Sequence, residues 1–399
     1  MNILVINAGS SSLKYQLIDT ASEKCLLKGL CDRIGMQGGS LEQKNAAGKQ
    51  YRVQADMPTH KEAIEMVLAA LTDAEAGAIA SVSEIGAVGH RVLHSGEDFH
   101  SSVVIDDDVV AKCEKNAELG PLHMPGNIAC IKSCREVMPA VPMVAVFDTT
   151  FHSTMPAKAY MYGIPYSAYE KFKVRKYGFH GTSHKFVSEE TIKLLGADKC
   201  RRLIVCHLGN GSSISAVKDG RCVDTSMGFT PLEGLIMGTR SGDIDPAAVE
   251  FLRAKLGMKP EDMVQYLNKQ CGMKGISEVD SDMRVLEREI EAGNKKAELA
   301  VEAAGYRIKK YVGSFAAVLG GVDAIVFTGG IGENSSHMRR LVMEDTEYLG
   351  VDFDFEENEK RQAGVHELSK PGSRVKVLVV PTNEELSIAR ETLALVKGN

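Results

Sequence analysis

Short runs of apolar, mostly β-branched residues recur along the chain, and each closes on a turn former. They are Ile3 to Ile6, Ile85 to Val88, Met143 to Phe147, Leu203 to Cys206, Ala324 to Thr328 and Val375 to Val380. Such bounded runs predict buried strands. Between them, His60 to Leu71 and Pro246 to Leu256 repeat apolar residues at helical spacing. The stretch from about Asp280 to Leu319 is charged on one side and alanine-rich on the other, which predicts a long amphipathic helix. Strands alternating with helices imply an α/β architecture. Near the end, Leu386, Ala389, Arg390, Leu393 and Val396 again fall at helical spacing, with Asn383 able to cap the start. A last helix of this kind is expected to pack back on the first domain. The expected boundaries are therefore a first domain of residues 1–149 plus 385–399, with a second domain, 150–384, inserted.

One internal echo refines this picture. Ile3 through Asp19 reads strand, Ala8-Gly9-Ser10-Ser11-Ser12 turn, strand; Leu203 through Val217 reads strand, Asn210-Gly211-Ser212-Ser213 turn, strand. With Gly9 and Gly211 taken as equivalent, the two hairpins suggest two halves built on one plan.

Composition narrows the function. The 399 residues suggest two or three domains, and 44% hydrophobic with 25% charged residues is a globular profile. No apolar run reaches the roughly 20 residues of a membrane span. The opening Met1-Asn2-Ile3-Leu4-Val5-Ile6 lacks a basic region and reads as a first strand, not a signal peptide. Nine scattered cysteines with no C-x-x-C pair point to reduced thiols in a cytoplasmic protein, not to disulfides or structural zinc; Cys130 and Cys134, four apart, read as buried residues on one helix face. A net charge of −6 with no basic tract argues against nucleic acid as a partner. An enzyme of this charge with anionic substrates must gather its cations locally.

Candidate chemistry follows from that requirement. Three glycine-rich turns follow strands: Asn7 to Ser12, Gly209 to Ser213, and Gly329 to Asn334. Their N–H groups, with the hydroxyls of Ser10 and Ser12, suit phosphate oxygens, and Lys14 stands two residues past the first turn. Neither a G-x-x-x-x-G-K-[ST] nor a G-x-G-x-x-G motif is present. Arg91, His123, His180 and Arg240 each sit at a loop among Gly, Pro or apolar neighbours, a setting that suits charge on a transferring phosphoryl group. Taken singly, each reads first as an ion-paired arginine or a satisfied core histidine. Asp148 ends an apolar strand and Glu384 follows the last one, positions from which a carboxylate can face a ligand crevice or hold Mg²⁺. The His180/His184 and His90/His94 pairs lack the glutamate of H-E-x-x-H, and Gly181 weakens a helix there; G-x-S-x-G and the protein-kinase motifs are absent.

Longer motifs then become decisive. Val5-Ile6-Asn7-Ala8-Gly9-Ser10-Ser11-Ser12-Leu13-Lys14 and Asp224-Thr225-Ser226-Met227-Gly228-Phe229-Thr230-Pro231-Leu232-Glu233-Gly234 resemble the two signatures of the acetokinase family. So, in order, do Gly89-His90-Arg91, Phe147-Asp148-Thr149, Tyr177-Gly178-Phe179-His180-Gly181, Gly238-Thr239-Arg240-Ser241-Gly242-Asp243 and Pro381-Thr382-Asn383-Glu384-Glu385. The resemblance spans essentially the whole chain. It implies an α/β fold of two duplicated ribonuclease H-like (actin-like ATPase) domains with an interdomain nucleotide cleft, and a homodimer joined through the second domain. It implies Mg²⁺-dependent (or Mn²⁺-dependent) transfer of the ATP γ-phosphoryl group to acetate, giving acetyl phosphate and ADP.

Carried over residue by residue, the resemblance makes Arg91, Asp148, His180 and Arg240 catalytic. Asn7 and Glu384 would organise the metal, and Lys14, Ser10 and Ser12 would contact nucleotide. His207, Leu208, Gly209, Asn210 and Gly211, then Asp282, Met283 and Arg284, then Gly330, Ile331, Gly332, Glu333 and Asn334 would line the ATP site. Arg91, Leu93, Leu122, His123, Phe179 and Pro231 would form the acetate site, with Leu93 where the family more often has Val. A carboxylate is already ionised at pH 7 and needs no general base. The obstacle is repulsion between two anions, about 4 kcal/mol at 4 Å and an effective dielectric of 20. Direct in-line transfer is therefore expected. The competing readings are a propionate or butyrate kinase of the same fold and a non-catalytic, actin-like nucleotide switch.

Overall fold

A computed structural model describes residues 1–398. The chain forms two compact units, one of Met1–Phe151 rejoined by the segment beginning at Asn383, the other of His152–Thr382. The first unit carries an eight-stranded sheet. Its strands are β1 (Asn2–Ala8), β2 (Ser12–Asp19), β3 (Lys24–Asp32), β4 (Ser40–Asn45), β5 (Gln50–Gln54), β6 (Ile85–Val92), β7 (Val103–Val104) and β8 (Met143–Phe147), in the order β5-β4-β3-β2-β1-β6-β8-β7. The second unit carries six: β9 (Arg202–Leu208), β10 (Ser212–Lys218), β11 (Arg221–Thr225), β12 (Ala324–Thr328), β13 (His366–Glu367) and β14 (Lys376–Val379), in the order β11-β10-β9-β12-β14-β13.

The duplication is explicit in the pairing. In the first unit β3, β2 and β1 run antiparallel in succession and β1, β6 and β8 run parallel. In the second, β11, β10 and β9 are antiparallel and β9, β12 and β14 parallel. This five-strand pattern is the ribonuclease H-like sheet of the actin-like fold, present twice. The parallel strands are the apolar runs read from the sequence. Met143–Phe147 and Ala324–Thr328 are buried at every position, as strands covered on both faces must be.

Helices cover the sheets where the sequence places them. His60–Leu71 starts on a capping box of Thr59 and Glu62 and packs on the Met124–Val137 helix over the first core. Glu384–Lys397 packs on β1, β6 and β8, and the Asn383 side chain accepts from Leu386 N at 3.0 Å, as a helix cap should. A Cβ at Gly89 of β6 would lie 2.5 Å from Thr392 Oγ1 and 2.7 Å from Ile388 Cγ2, so only glycine lets that helix seat.

Four local expectations change. The stretch from Asp280 to Leu319 is two helices, Met283–Glu291 and Lys295–Leu319. Gly293 turns the chain at φ 88°, and Asn294 caps the second helix through Lys296 N and Ala297 N. Gly209, not Gly211, is the first residue after its strand and so stands where Gly9 stands. Gly329–Asn334 is a short helix rather than an open turn, and it begins at Gly329, whose φ of 78° is open to glycine. Finally, Gly181 opens the Gly181–Leu195 helix; its cost falls at the first position, where few intrahelical bonds depend on it.

Asp323 fixes the register of the second sheet. Its carboxylate accepts from Arg201 N (3.1 Å), Arg202 N (2.9 Å) and the Arg202 guanidinium (2.6 and 3.1 Å), just where β9 and β12 begin side by side. Burial alone would raise its pKa, but the Arg202 hydrogen bonds win and hold it below the ordinary value. A depressed carboxyl stabilises the fold above its unfolded pKa, and that contribution is lost as pH falls through the folded value. Asp323→Asn should therefore cost about 1–2 kcal/mol at pH 7. In urea melts the gap to the parent should shrink as pH drops below about 4; a pH-independent gap would contradict this role.

Candidate active site

In the first unit the site grows from the C-terminal ends of β1, β6 and β8. β1 delivers Asn7 and ends at Ala8, and Gly9 N bonds Ser12 O at 2.7 Å to close the turn. The Met124–Val137 helix holds that turn. Asn127 Nδ2 donates to Ala8 O (2.6 Å) and its Oδ1 accepts from Leu93 N (3.0 Å), so one side chain ties the end of β1 to the residue after β6. A Cβ at Gly126 would meet the Gly9 oxygen at 2.5 Å, so the helix approaches the turn only because residue 126 is glycine.

Arg91 lies near the end of β6, beside Val146 of β8, and Asp148 follows β8 directly. The two form a bidentate pair, Nε to Oδ1 at 2.8 Å and Nη2 to Oδ2 at 2.7 Å. Asp148 is buried, and Glu384 Oε2 stands 3.6 Å from the same Nη2. Burial opposes the Arg91 charge, but attraction to Asp148 and Glu384 and the Asp148 hydrogen bonds outweigh it and raise the pKa. Among the described residues no hydrogen bond uses Arg91 Nη1, so the Nη1–Nη2 edge of the guanidinium remains a donor edge. Glu384 responds oppositely. Burial raises its pKa; Arg91 and, more weakly, Lys14 lower it, and Asp148 raises it again. Its Oε2 is buried with no hydrogen-bond partner. Lys14 faces Asn7 across the hairpin and is exposed. Ser10 is exposed and Ser12 half-buried; Leu93 is half-buried, Leu122 is 55% exposed, and His123 is exposed at the start of the Met124–Val137 helix.

In the second unit His180 and Arg240 converge. A Cβ built on Gly211 would lie 3.2 Å from Arg240 Nη1 and 3.4 Å from His180 Nε2 and Cε1, so both groups point at one spot above the β9–β10 turn. Arg240 donates from Nη1 to Pro231 O at 3.2 Å, and among the described residues no carboxylate lies within ion-pair reach of it. Burial pushes its pKa down, the sign of a cation without a counter-charge. His180 holds a left-handed backbone, φ 58°, at the start of the Gly181–Leu195 helix. For a residue with a side chain this conformation is strained, a trait of functional sites.

A hydrogen-bond relay sets the His180 tautomer. Ser213 Oγ lies 2.9 Å from His180 Nδ1 and 2.7 Å from His184 Nε2. His184 is fully buried; burial, with His152 and His207 nearby, holds its pKa well below the ordinary value, so it is neutral. Its Nδ1 has no partner, and an orphaned buried N–H is the rarer fault, so the proton belongs on Nε2. His184 then donates to Ser213, which leaves the one Ser213 O–H to offer to His180 Nδ1; in a neutral His180 ring that places the proton on Nε2, toward the Arg240 side. His207 is buried with Nδ1 at 2.8 Å from Ser183 Oγ. Phe179 is buried, and its carbonyl lies 2.9 Å from His152 Nε2; Pro231 is half-buried.

A cavity of about 610 Å³ opens in the same unit. Gly209, Asn210, Asp282, Met283, Arg284, Gly330, Ile331 and Asn334 line it, three separate sequence segments brought to one hollow. Gly332 and Leu208 are buried and do not line it; Glu333 turns back to accept from Gly329 N at 3.0 Å. Sequence reasoning missed four lining residues: Ser281, Glu287, Ser335 and Arg361. It also missed Ser213 and His184 as partners of His180. Ser281 and Ser335 border segments already singled out; nothing in sequence spacing marks Glu287 or Arg361, and the His180/His184 spacing and the Gly209 to Ser213 turn do not reveal that Ser213 bridges the two rings.

Comparison with known proteins agrees with this geometry. The model of the acetokinase family matches residues 2–390. An acetate kinase of Agathobacter rectalis is 55% identical over 397 residues, covering 99% of this chain and 100% of that protein. The crystal structure of Porphyromonas gingivalis acetate kinase superposes with a TM-score of 0.96 at 44% identity, covering 99% of each chain. A propionate kinase structure from Francisella tularensis follows at 0.91 and 40%, again over 99% of each chain. With its signatures, its duplicated sheets and its full-length relatives in accord, the chain belongs to the acetokinase family.

Proposed function

We infer that this chain transfers the γ-phosphoryl group of ATP reversibly to acetate, forming acetyl phosphate and ADP by direct in-line displacement. The observation that carries the reading is Arg240: a largely buried guanidinium without a carboxylate, aimed with the His180 Nε2–H at one point. A cation left without a protein counter-charge suits an anionic ligand, and paired donors suit the equatorial oxygens of a phosphoryl group in transfer.

Arg91 is assigned to the acetate carboxylate through its remaining Nη1–Nη2 edge. Asp148 accordingly acts as a positioning residue. It grips the opposite edge of Arg91 and fixes the guanidinium plane, and no proton transfer is required because the acceptor is already a carboxylate. Leu93, Leu122, His123, Phe179 and Pro231 are assigned to the acetate site, and the half-buried Leu93 is the side chain most able to set acyl-chain length. ATP is assigned to the cavity beside Gly209, Asp282 and Gly330, with Lys14, Ser10 and Ser12 as further phosphate contacts.

The nucleotide's Mg²⁺ is assigned to Asn7 and Glu384. The fit rests on Glu384 Oε2, a buried carboxylate oxygen without a hydrogen bond, which is the hard donor such a cation takes. When bound, the ion neutralises phosphate charge. The second unit is further assigned the dimer contact, and the protein a cytoplasmic location; among the described residues no helix is long and apolar enough to cross a membrane.

A propionate preference is the specific alternative, favoured by the similarity to the Francisella tularensis propionate kinase structure. Hydroxylamine trapping decides both questions. Incubation with ATP, Mg²⁺ and acetate should yield acyl hydroxamate, and kcat/KM should fall about 10-fold or more from acetate to propionate, the value of one methylene at a fitted pocket. No hydroxamate from any short acid would end the carboxylate-kinase reading; a higher kcat/KM for propionate would install the alternative.

The relay makes a separate prediction. Ser213→Ala should lower kcat by about 10- to 100-fold while the KM for acetate changes little, because only the His180 proton position is disturbed. Ser213→Thr, which keeps the hydroxyl, should recover most of that loss. Equal damage in both variants, or none in either, would show that the hydroxyl does not set the tautomer.

A further inference from the structure

Away from the proposed reaction chemistry, the first unit buries a cluster that the reaction does not use. His90 of β6 is 2% exposed, and Cys130 and Cys134 of the Met124–Val137 helix are 1% and 0% exposed. The cysteines stand four residues apart, so they share one helix face, and that face looks onto the strand bearing His90. One ring nitrogen and the two sulfurs all lie within 4.8 Å of one another. Among the described residues His90 Nε2 has no hydrogen-bond partner, a polar atom left on the ring beside the two sulfurs in a buried core. Among the described residues no carboxylate joins the cluster.

We propose that His90, Cys130 and Cys134 form a binding site for one thiophilic divalent cation of the zinc class. The donor set decides the class. Two sulfurs and an imidazole are soft ligands, and the cluster offers Mg²⁺ or Ca²⁺ no carboxylate among the described residues. Charge balance decides the valence. The cation displaces two thiol protons, so two thiolates and one divalent ion leave the buried centre neutral, whereas a monovalent ion would leave an uncompensated negative charge in an apolar core. Bond lengths of about 2.0–2.3 Å give donor–donor edges of about 3.4–3.8 Å, so donors already within 4.8 Å close on the ion by side-chain rotation.

The site has a mechanical consequence. Asn127, one turn before Cys130, bonds both Ala8 O and Leu93 N. A cation clamping the helix to β6 therefore stiffens the segments that carry Asn7 and Arg91. The sequence hides this site because the third ligand comes from a strand 40 residues before the cysteines.

The test uses the full reduced chain, freed of metal by chelator and refolded with Zn²⁺, Cd²⁺ or Cu⁺ and no nucleotide. Native mass spectrometry should find one tightly held Zn²⁺ or Cd²⁺. Cd²⁺ should give a thiolate charge-transfer band, and the melting temperature should rise with the bound ion. Cys134→Ser and Cys130→Ser should each lose the band and at least tenfold in affinity, while Glu384→Gln should keep both. Failure of the parent chain to hold a stoichiometric ion, a band that survives both cysteine substitutions, or binding of Cu⁺ alone would overturn the proposal. Loss of binding in Glu384→Gln would overturn it as well, by placing the ion at the site assigned to nucleotide metal.

Discussion

A guanidinium gripped along one edge by a buried carboxylate is the interaction on which the first unit's site depends. The Arg91–Asp148 pair spans adjacent parallel strands at their C-terminal ends, so it can form only if β6 and β8 keep their register. The pair also governs its neighbour: Glu384, on the terminal helix, holds its Oε2 3.6 Å from the same nitrogen, and among the described residues that buried oxygen has an ion pair but no hydrogen bond. Two acids and one base set around a buried Asp148, with Arg91 and Glu384 half-buried, are more than folding requires. Breaking one member of such a set costs about 3–5 kcal/mol, and a well-packed apolar substitute would often do as well, so the cluster reads as chemistry retained at the expense of stability.

The second unit solves the complementary problem. Among the described residues Arg240 has no acid within ion-pair reach, and burial works against its charge. Arg91 is thus a cation already anchored, with one edge left over, while Arg240 is a cation held in reserve. The difference is what the proposed roles ask for: a planar carboxylate to be oriented, and a phosphoryl group whose charge spreads during transfer. His180 stands beside Arg240, with its Nδ1 held 2.9 Å from the Ser213 hydroxyl that also meets His184.

Much of this was legible in the chain itself, for definable reasons. Buried parallel strands announce themselves as short apolar runs, which is why Met143 to Phe147 and Ala324 to Thr328 were found to the residue. The repeated hairpin disclosed the duplication, although one glycine was misaligned because turns of unequal register look alike in sequence. The break at Gly293-Asn294 was carried by a turn residue and a cap inside an otherwise continuous amphipathic pattern, and the periodicity masked it. Isolated Arg, His and acidic residues at strand ends drew attention to Arg91, Asp148, His180 and Arg240. What sequence could not supply was pairing. That Asp148 grips Arg91, that Ser213 bridges two histidines, and that His90 meets two cysteines are facts of packing between distant segments, for which spacing along the chain carries no signal.

The central claim is that Arg240 is kept without a counter-charge to meet the planar, charged phosphoryl group in flight. Its most direct measurement is the affinity for a fluoroaluminate complex formed with ADP, Mg²⁺ and acetate, which imitates that state, set against the affinity for ADP alone. In Arg240→Ala, trapping by fluoroaluminate should weaken by about 10²-fold or more while ADP binding changes less than about threefold. A folded Arg240→Ala protein that traps the complex as tightly as the parent would contradict it.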